Sequence, residues 1–190
     1  MKTRTVTRRS GTLENIARKY GTSSVASLCS GSNVAFLAFV TLAMILSVGP
    51  VENLFDVECD KEKQLWLKSA INTSFGERCV FSDMGDMGDT HAPCASHGGN
   101  RCLIPSGENC PFLVSCGFSC KDISKANVNR KRHRHGIAKA EGKTAETLLS
   151  FLEYCSFHKP PIAICENVTE FVDPKSTNWQ QFHKLFFALF

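Results

Sequence analysis

No apolar run opens this chain; the first begins only at Val34. A secretory signal places its apolar region near the start, so a cleaved leader is not expected. Without one, the ten cysteines are better read as reduced thiols of an intracellular protein than as a disulfide framework. No apolar stretch is long enough to serve easily as an anchor either. Val34 to Val48 stops at Gly49-Pro50, whereas a bilayer core takes roughly 20 apolar residues. A helix apolar on all sides then belongs in the interior of an α/β protein.

Acid is scarce where base is dense. Lys2, Arg4, Arg8, Arg9, Arg18 and Lys19 face only Glu14, and residues 1–20 read as a basic, flexible arm without periodicity. From Lys125 to Lys143, seven basic residues face the single acid Glu141, with His133 and His135 among them. The net charge is only +4, so the distribution matters more than the sum. A solvated tail is the bland reading of the first cluster, and a polyanionic partner suits the second.

A standard zinc-finger spacing is missing too. Residues 84–111 are rich in Gly, Asp, Cys and His and show no periodicity. Cys94-x2-His97 followed by Cys102 and Cys110 offers four ligand types that zinc accepts. The spacing matches no finger and no second knuckle accompanies it. The expectation is an irregular insertion with free thiols and no metal.

What is present is an alternation. Short apolar runs at 25–29, 53–58, 79–82, 112–116 and 161–165 read as strands. Between and after them come helical stripes: Lys61 to Asn72 with Trp66, Leu67, Ala70 and Ile71; Thr144 to Phe157 with Leu148, Leu152 and Cys155; and Asn178 to Phe190 with Phe182, Leu185, Phe186 and Leu189. A chain of 190 residues is the size of one domain. The pattern predicts a doubly wound α/β domain over 24–190 with a mostly parallel sheet. The first strand should be central, beside the second and the fourth.

Chemistry-bearing residues fall at the strand ends. The first strand runs into Ser30-Gly31-Ser32-Asn33, a small-residue turn with Ser32 or Asn33 as helix cap. Such a turn lets a nucleotide-like cofactor approach backbone N–H groups. Glu58 ends the second strand, where a carboxylate can accept ribose hydroxyls, and Asp83 follows the third. Cys120 follows the fourth within GFSCKDIS, and Glu166 closes the fifth within ICENV. Positive charge close to a thiol favours the nucleophilic thiolate, and Cys120 is followed by Lys121 and the basic loop.

GFSCKDIS, Gly117 to Ser124, aligns without gaps on the Pro-Cys loop of DNA (cytosine-5) methyltransferases, written G-P-P-C-Q-x-F-S. Glu166-Asn167-Val168 resembles the Glu-Asn-Val motif of the same family, which also accounts for the sequon Asn167-Val168-Thr169. Ser119 stands in place of the family's Pro and Lys121 in place of its Gln, and CSGSN keeps only the central Gly31 of F-x-G-x-G. The resemblance implies a Rossmann-like S-adenosyl-L-methionine-dependent methyltransferase fold, with Ser30, Gly31, Ser32, Glu58 and Asp83 holding the cofactor. It makes Cys120 the nucleophile, with Cys116 as the alternative, Glu166 the acid and Asn167 the brace of the loop. It also makes Lys125, Arg130, Lys131, Arg132 and Arg134 part of a loop that closes on nucleic acid. DNA is the implied partner, in the nucleus if the source is eukaryotic. The tRNA-methylating branch shares these motifs, which leaves RNA open.

The sequence holds no Gln-x-Arg-x-Arg motif, target-recognition region or closing cofactor motif. The expectation is therefore the amino-terminal half of such a catalytic domain, a fragment or a degenerate copy. Two other classes stand beside it. One is a membrane-anchored cysteine-rich protein; the other is a non-catalytic zinc or nucleic-acid-binding module.

Overall fold

The computed structural model describes residues 23–46, 49–71, 76–124, 126–128, 136–169, 171 and 173–189. The basic arm, Asn72 at the end of the second helical stripe, and the loop residues Lys125, Arg130, Lys131, Arg132 and Arg134 lie outside the described residues.

The described chain alternates as the sequence predicts. In order come β1 (Ser23–Leu28), α1 (Val34–Leu46), β2 (Val51–Val57), α2 (Lys61–Trp66) continued by a wider π turn over Leu67–Ile71, and β3 (Cys79–Phe81). A hairpin of β4 (His91–Pro93) and β5 (Arg101–Leu103) follows. Then come β6 (Leu113–Cys116), a short α3 (Gly136–Lys139), α4 (Gly142–His158), β7 (Ile162–Cys165) and α5 (Thr177–Leu189).

Five strands form one parallel sheet in the order β3-β2-β1-β6-β7. The first strand is central, between the second and the fourth of the strands read from sequence. Parallel pairing demands crossover connections, and α1, α2 and α4 supply them. In β2, Phe55, Asp56 and Val57 are all buried, because helices or loops cover both faces of the sheet. On one face, Val25, Val80 and Leu113 pack with Phe36 of α1 and Leu67. On the other, Ala26, Leu28, Phe55, Val57 and Val114 pack with Leu148, Phe151, Leu152 and Tyr154 of α4.

Several expectations change at this level. The apolar helix α1 is not surrounded by protein among the described residues. Phe36 and Ala43 are buried, but Val34, Met44 and Ile45 are largely exposed. It lies on the sheet with one face, and hydrophobicity alone could not say how many faces would find partners. Trp66 is also exposed, whereas Leu67, the first residue of the π turn that follows it, is fully buried. Strand β7, read as buried, is a sheet edge with Ile162, Ile164 and Cys165 exposed.

The segment 84–111, expected as an irregular insertion, contains the β4/β5 hairpin and contributes to the core. Met84, Met87, Ala92, Cys94 and Ile104 all enter the main core. His158 of α4 bonds the Met87 carbonyl through Nε2 at 2.9 Å. Helix α4 starts and stops as its stripe suggests. It ends on Lys159, left-handed at φ 54°, whose N–H returns to Cys155 O. A following pair of prolines, Pro160-Pro161, bars any continuation.

Candidate active site

The carboxyl ends of β1, β2, β3, β6 and β7 lie along one edge of the sheet, since all five are parallel. Connections leave β1 toward β2 on one side and arrive at β6 on the other, which opens a crevice at the β1/β6 boundary. Leu28 and Cys116 are in register there. A groove lined by Ser24, Glu52, Leu54, Phe112 and Pro161 lies at the opposite edge, at the strand starts, away from this chemistry.

The turn after β1 is built around a buried carboxylate. Asp56 is fully buried and accepts from Asn33 Nδ2 at 2.6 Å, Ser30 Oγ at 3.3 Å, Asn53 Nδ2 at 3.1 Å and Arg78 Nε at 3.2 Å. Arg78 in turn sits 5.3 Å from the Phe36 ring centroid on α1, within cation–π range. Burial pushes the Asp56 carboxyl above its ordinary range, against the pull of Arg78 and of the Asn53 and Ser30 donors. Burial likewise lowers Arg78 against the pull of Asp56.

Above this pin the chain turns sharply. Cys29, Gly31 and Asn33 all have positive φ, between 53° and 57°. Two of the three are not glycine, so the network must hold a backbone that side chains disfavour. Ser30 is buried and donates its hydroxyl to Ser27 O at 2.6 Å, so its side chain shapes the turn from inside. Asn33 aims its amide at Asp56. Ser32 is exposed.

Gly31 and Glu58 meet directly. Gly31 N–H donates to Glu58 Oε2 at 2.8 Å, and Asp60 N–H donates to Oε1 at 2.9 Å. A carboxylate has about four acceptor sites, so Glu58 keeps lone pairs for hydroxyl donors. Among the described residues nothing lies within 4 Å of the position a Cβ would take on Gly31, which leaves room over the turn. These residues fit a ribose-bearing cofactor lying over a backbone turn at a strand end. Asp83 is exposed at the end of β3 and caps the short turn Met84–Asp86 through Gly85 N–H.

A cation not singled out by sequence shares this edge. Lys143, in the first turn of α4, is held charged mainly by its 2.8 Å contact with Glu146, and also by the field of Asp83.

The thiol loop leaves β6 and docks on the start of α4. Asp122 Oδ2 accepts from Thr144 N–H at 2.8 Å, and Asp122 N–H donates back to Thr144 Oγ1 at 3.2 Å. Ser119 N–H donates to Thr147 Oγ1 at 3.1 Å. Within the loop, Ser124 N–H closes on Cys120 O at 2.9 Å. Asn167 Nδ2 donates to Phe118 O at 2.7 Å, and Val168 N–H donates to Asn167 Oδ1 at 2.9 Å.

Glu166 follows β7 directly and donates its N–H to Cys116 O at 2.9 Å. Its carboxylate stands 3.4 Å from the Cβ position of Gly117. Sequence motifs separated by some forty residues thus meet on adjacent strands. Cys120 is half-buried, whereas Cys116 is 1% exposed in the strand end. The hydrogen bond between Cys116 and Cys29, together with burial, pushes the Cys116 thiol well up.

Over 149 residues, 76% of its length, the chain is 28% identical to the DNA (cytosine-5-)-methyltransferase DMT5 of Cryptococcus neoformans. That is a distant likeness. It spans about 6% of the length of that protein. No protein-family model matches the chain.

Sequence reading missed Asp56, Arg78, Asp122 and Thr144, and took Asn33 only as a helix cap, not as a partner of Asp56. The signal for Asp56 was there: an acid inside the apolar run Leu54-Phe55-Asp56-Val57 must find partners once the strand is buried. Asp122 and Thr144 carry no such mark, since short polar residues in loops and at helix starts are ordinary. The structure also groups Cys94, His97 and Cys102 with Cys79 rather than with Cys110.

Proposed function

We propose that this chain forms the cofactor-binding and nucleophile-bearing part of a methyltransferase acting on carbon 5 of cytosine in DNA, with S-adenosyl-L-methionine as methyl donor. The observation that carries the reading is the docking of the thiol loop on the Glu-Asn-Val segment. Asn167 holds the carbonyl of Phe118, two residues before Cys120, while Glu166 stands over Gly117. The distant likeness to a DNA (cytosine-5-)-methyltransferase supports it, as does the parallel sheet with its crevice beside β1.

Carbon 5 of cytosine is a weak nucleophile. The Cys120 thiolate adds to carbon 6, forming the S–C bond, and the ring electrons move to carbon 5, which becomes enamine-like and nucleophilic. The Glu166 carboxyl acts as the acid: it donates a proton to ring nitrogen 3, which neutralises the negative charge that gathers there, and accepts from the amino group. The bound cofactor supplies an electrophilic methyl group. A water molecule acting as base takes the carbon 5 proton, the C6–S bond breaks with its electron pair leaving on the Cys120 sulfur, and the ring is restored. Gly31 and Glu58 hold the ribose end, Asp83 lies at the adenine end, and Ser30 fixes the turn from beneath. The target base must leave the duplex to reach such a site. Lys125, Arg130, Lys131, Arg132 and Arg134 are assigned to phosphate contacts that keep the opened strand in place. A nuclear location follows from that substrate in a eukaryote. RNA remains the second substrate, because an extruded or single-stranded cytosine presents the same edge.

Disulfide and membrane readings lose support. All ten cysteines are free, and among the described residues no helix is long and apolar enough to cross a membrane.

Calorimetry with S-adenosylhomocysteine, the demethylated product, tests the cofactor half of the proposal. The wild-type chain is expected to bind it. Glu58→Ala removes the charged acceptor of the ribose hydroxyls, and hydrogen bonds to charged groups are worth about 1.5–3 kcal/mol. Affinity should therefore fall by roughly ten- to a hundredfold. Unchanged affinity in Glu58→Ala would remove the ribose role, and a wild-type chain that does not bind S-adenosylhomocysteine would sink the proposal.

A further inference from the structure

The geometry points to a structural zinc site formed by Cys79, Cys94, His97 and Cys102, which clips the β4/β5 hairpin onto the outer edge of the parallel sheet. One ligand atom from each of the four residues lies within 4.8 Å of all the others. The three sulfurs converge on one nitrogen: His97 Nδ1 is 3.7 Å from Cys79 Sγ, 3.3 Å from Cys94 Sγ and 3.1 Å from Cys102 Sγ. A neutral imidazole nitrogen has one lone pair and can accept one thiol proton. Three thiols around it are one hydrogen bond and two contacts without purpose. Around a tetrahedral zinc ion with bonds of about 2.3 Å to sulfur and about 2.0 Å to nitrogen, the sulfur–nitrogen edges come to about 3.5 Å. The observed distances bracket that value.

The backbone between the ligands is shaped for the same end. Cys94 O receives N–H groups from His97 at 3.2 Å and from Gly99 at 2.8 Å, and Cys94 N–H reaches Asn100 O at 2.9 Å. Gly98 and Gly99 have φ of +67° and +88°, which lets the turn fold the His97 ring back toward Cys94 and Cys102. Cys79 arrives from another part of the chain, as the first residue of β3. Backbone bonds bring the two parts together: Ala95 N–H to Val80 O at 2.7 Å and Ser82 N–H to Pro93 O at 3.0 Å.

Three thiolates and an imidazole make a closed set with no position for water or substrate, which is the pattern of a structural rather than a catalytic zinc. The site's role follows from its place. Among the described residues β3 is one of the two edge strands of the sheet, and Asp83 sits just beyond its end. A metal joining β3 to the hairpin covers that edge and fixes the strand end. Lys68 Nζ, on Ala95 O at 3.2 Å, places a cation beside a cluster that would carry one net negative charge.

Elemental analysis of the reduced chain, loaded with zinc chloride and freed of excess, should find about one zinc per molecule. Cys79→Ser and His97→Ala should lose most of it, and Cys110→Ser should keep it, because Cys110 lies apart beside Tyr154. Since the first two variants could misfold, cobalt loading of the wild-type chain gives an independent readout. It should produce the intense visible bands of tetrahedral cobalt and a thiolate-to-cobalt charge-transfer band. Wild-type protein without stoichiometric zinc, cobalt spectra of octahedral form, or metal kept in Cys79→Ser but lost in Cys110→Ser would each overturn the assignment.

Discussion

Replacing Cys120 by serine is expected to abolish covalent capture of an oligonucleotide containing 5-fluorocytosine, whereas Cys116→Ser should leave capture intact. The fluorine cannot leave as a proton, so an enzyme that adds a thiolate to carbon 6 and methylates carbon 5 stays bound to the base. Two cysteines could be the nucleophile by sequence. Cys116 ends β6, is 1% exposed and has its thiol pushed well up by its bond to Cys29 and by burial. A thiol that is neither reachable nor readily ionised is a poor nucleophile.

Cys120 lies on a half-buried loop held from two directions, by α4 through Asp122 and by Asn167 through Phe118. That bracing replaces some of the rigidity a proline would give at Ser119, since proline fixes φ and serine does not. Asn167→Ala should slow capture about two- to tenfold, the worth of one neutral hydrogen bond, while leaving cofactor affinity unchanged. The experiment calls for the chain and for a form extended by any coding sequence that follows Phe190. Capture lost in Cys116→Ser and kept in Cys120→Ser would move the nucleophile to the strand end. Cofactor binding without any adduct in the extended protein would leave the fold without the chemistry.

Asp56→Ala is expected to destabilise the fold by about 3–5 kcal/mol, the usual cost of stripping one partner from a buried ion pair. The guanidinium of Arg78 cannot shed its proton, and Asn33, Ser30 and Asn53 lose an acceptor at the same moment. Arg78→Met should cost less, because a buried carboxyl can neutralise itself by taking up a proton.

The pH dependence separates the two variants. Burial already raises Asp56 in the native chain, and removing Arg78 raises it further. A carboxyl with a folded value above its unfolded value of about 3.9 keeps its proton longer in the folded state. Stability then falls as pH rises between those two values. The penalty of Arg78→Met should therefore be small near pH 4 and full near pH 8, whereas Arg78 stays charged throughout in Asp56→Ala. Urea unfolding of both variants at the two pH values is the measurement. A penalty for Arg78→Met that does not grow with pH would show that Asp56 is not the group left unpaired. Because the same carboxylate holds Ser30 and Asn33, Asp56→Ala should also loosen the turn that presents Gly31 to a cofactor.

The architecture was legible in the sequence because it rests on local regularities. Five apolar runs separated by helical stripes leave few arrangements other than a parallel sheet with crossovers, and the central place of β1 follows from how such sheets are wound. That Glu58, Asp83 and the thiol loop follow strand ends was legible as well, since each comes just after an apolar run. Register, facing and partnership were not. Val34 to Leu46 is apolar all round, but how much of it is covered depends on what packs beside it. Here Met44 and Ile45 remain in the open.

Asp56 could be marked as an acid in an apolar run; that its partners are Asn33, Asn53, Ser30 and Arg78 depended on strands β2 and β3 lying side by side. The cysteines show the division most sharply. Sequence spacing grouped Cys94, His97 and Cys102 with Cys110, the next cysteine along the chain. Tertiary structure supplied Cys79 instead, because β3 and the hairpin pair through their backbones and bring a distant sulfur within reach. Periodicity and order along the chain fixed which elements form and how they are wound. Which side chains meet was decided only when the strands paired, since a contact between distant residues leaves no trace in the local pattern of either.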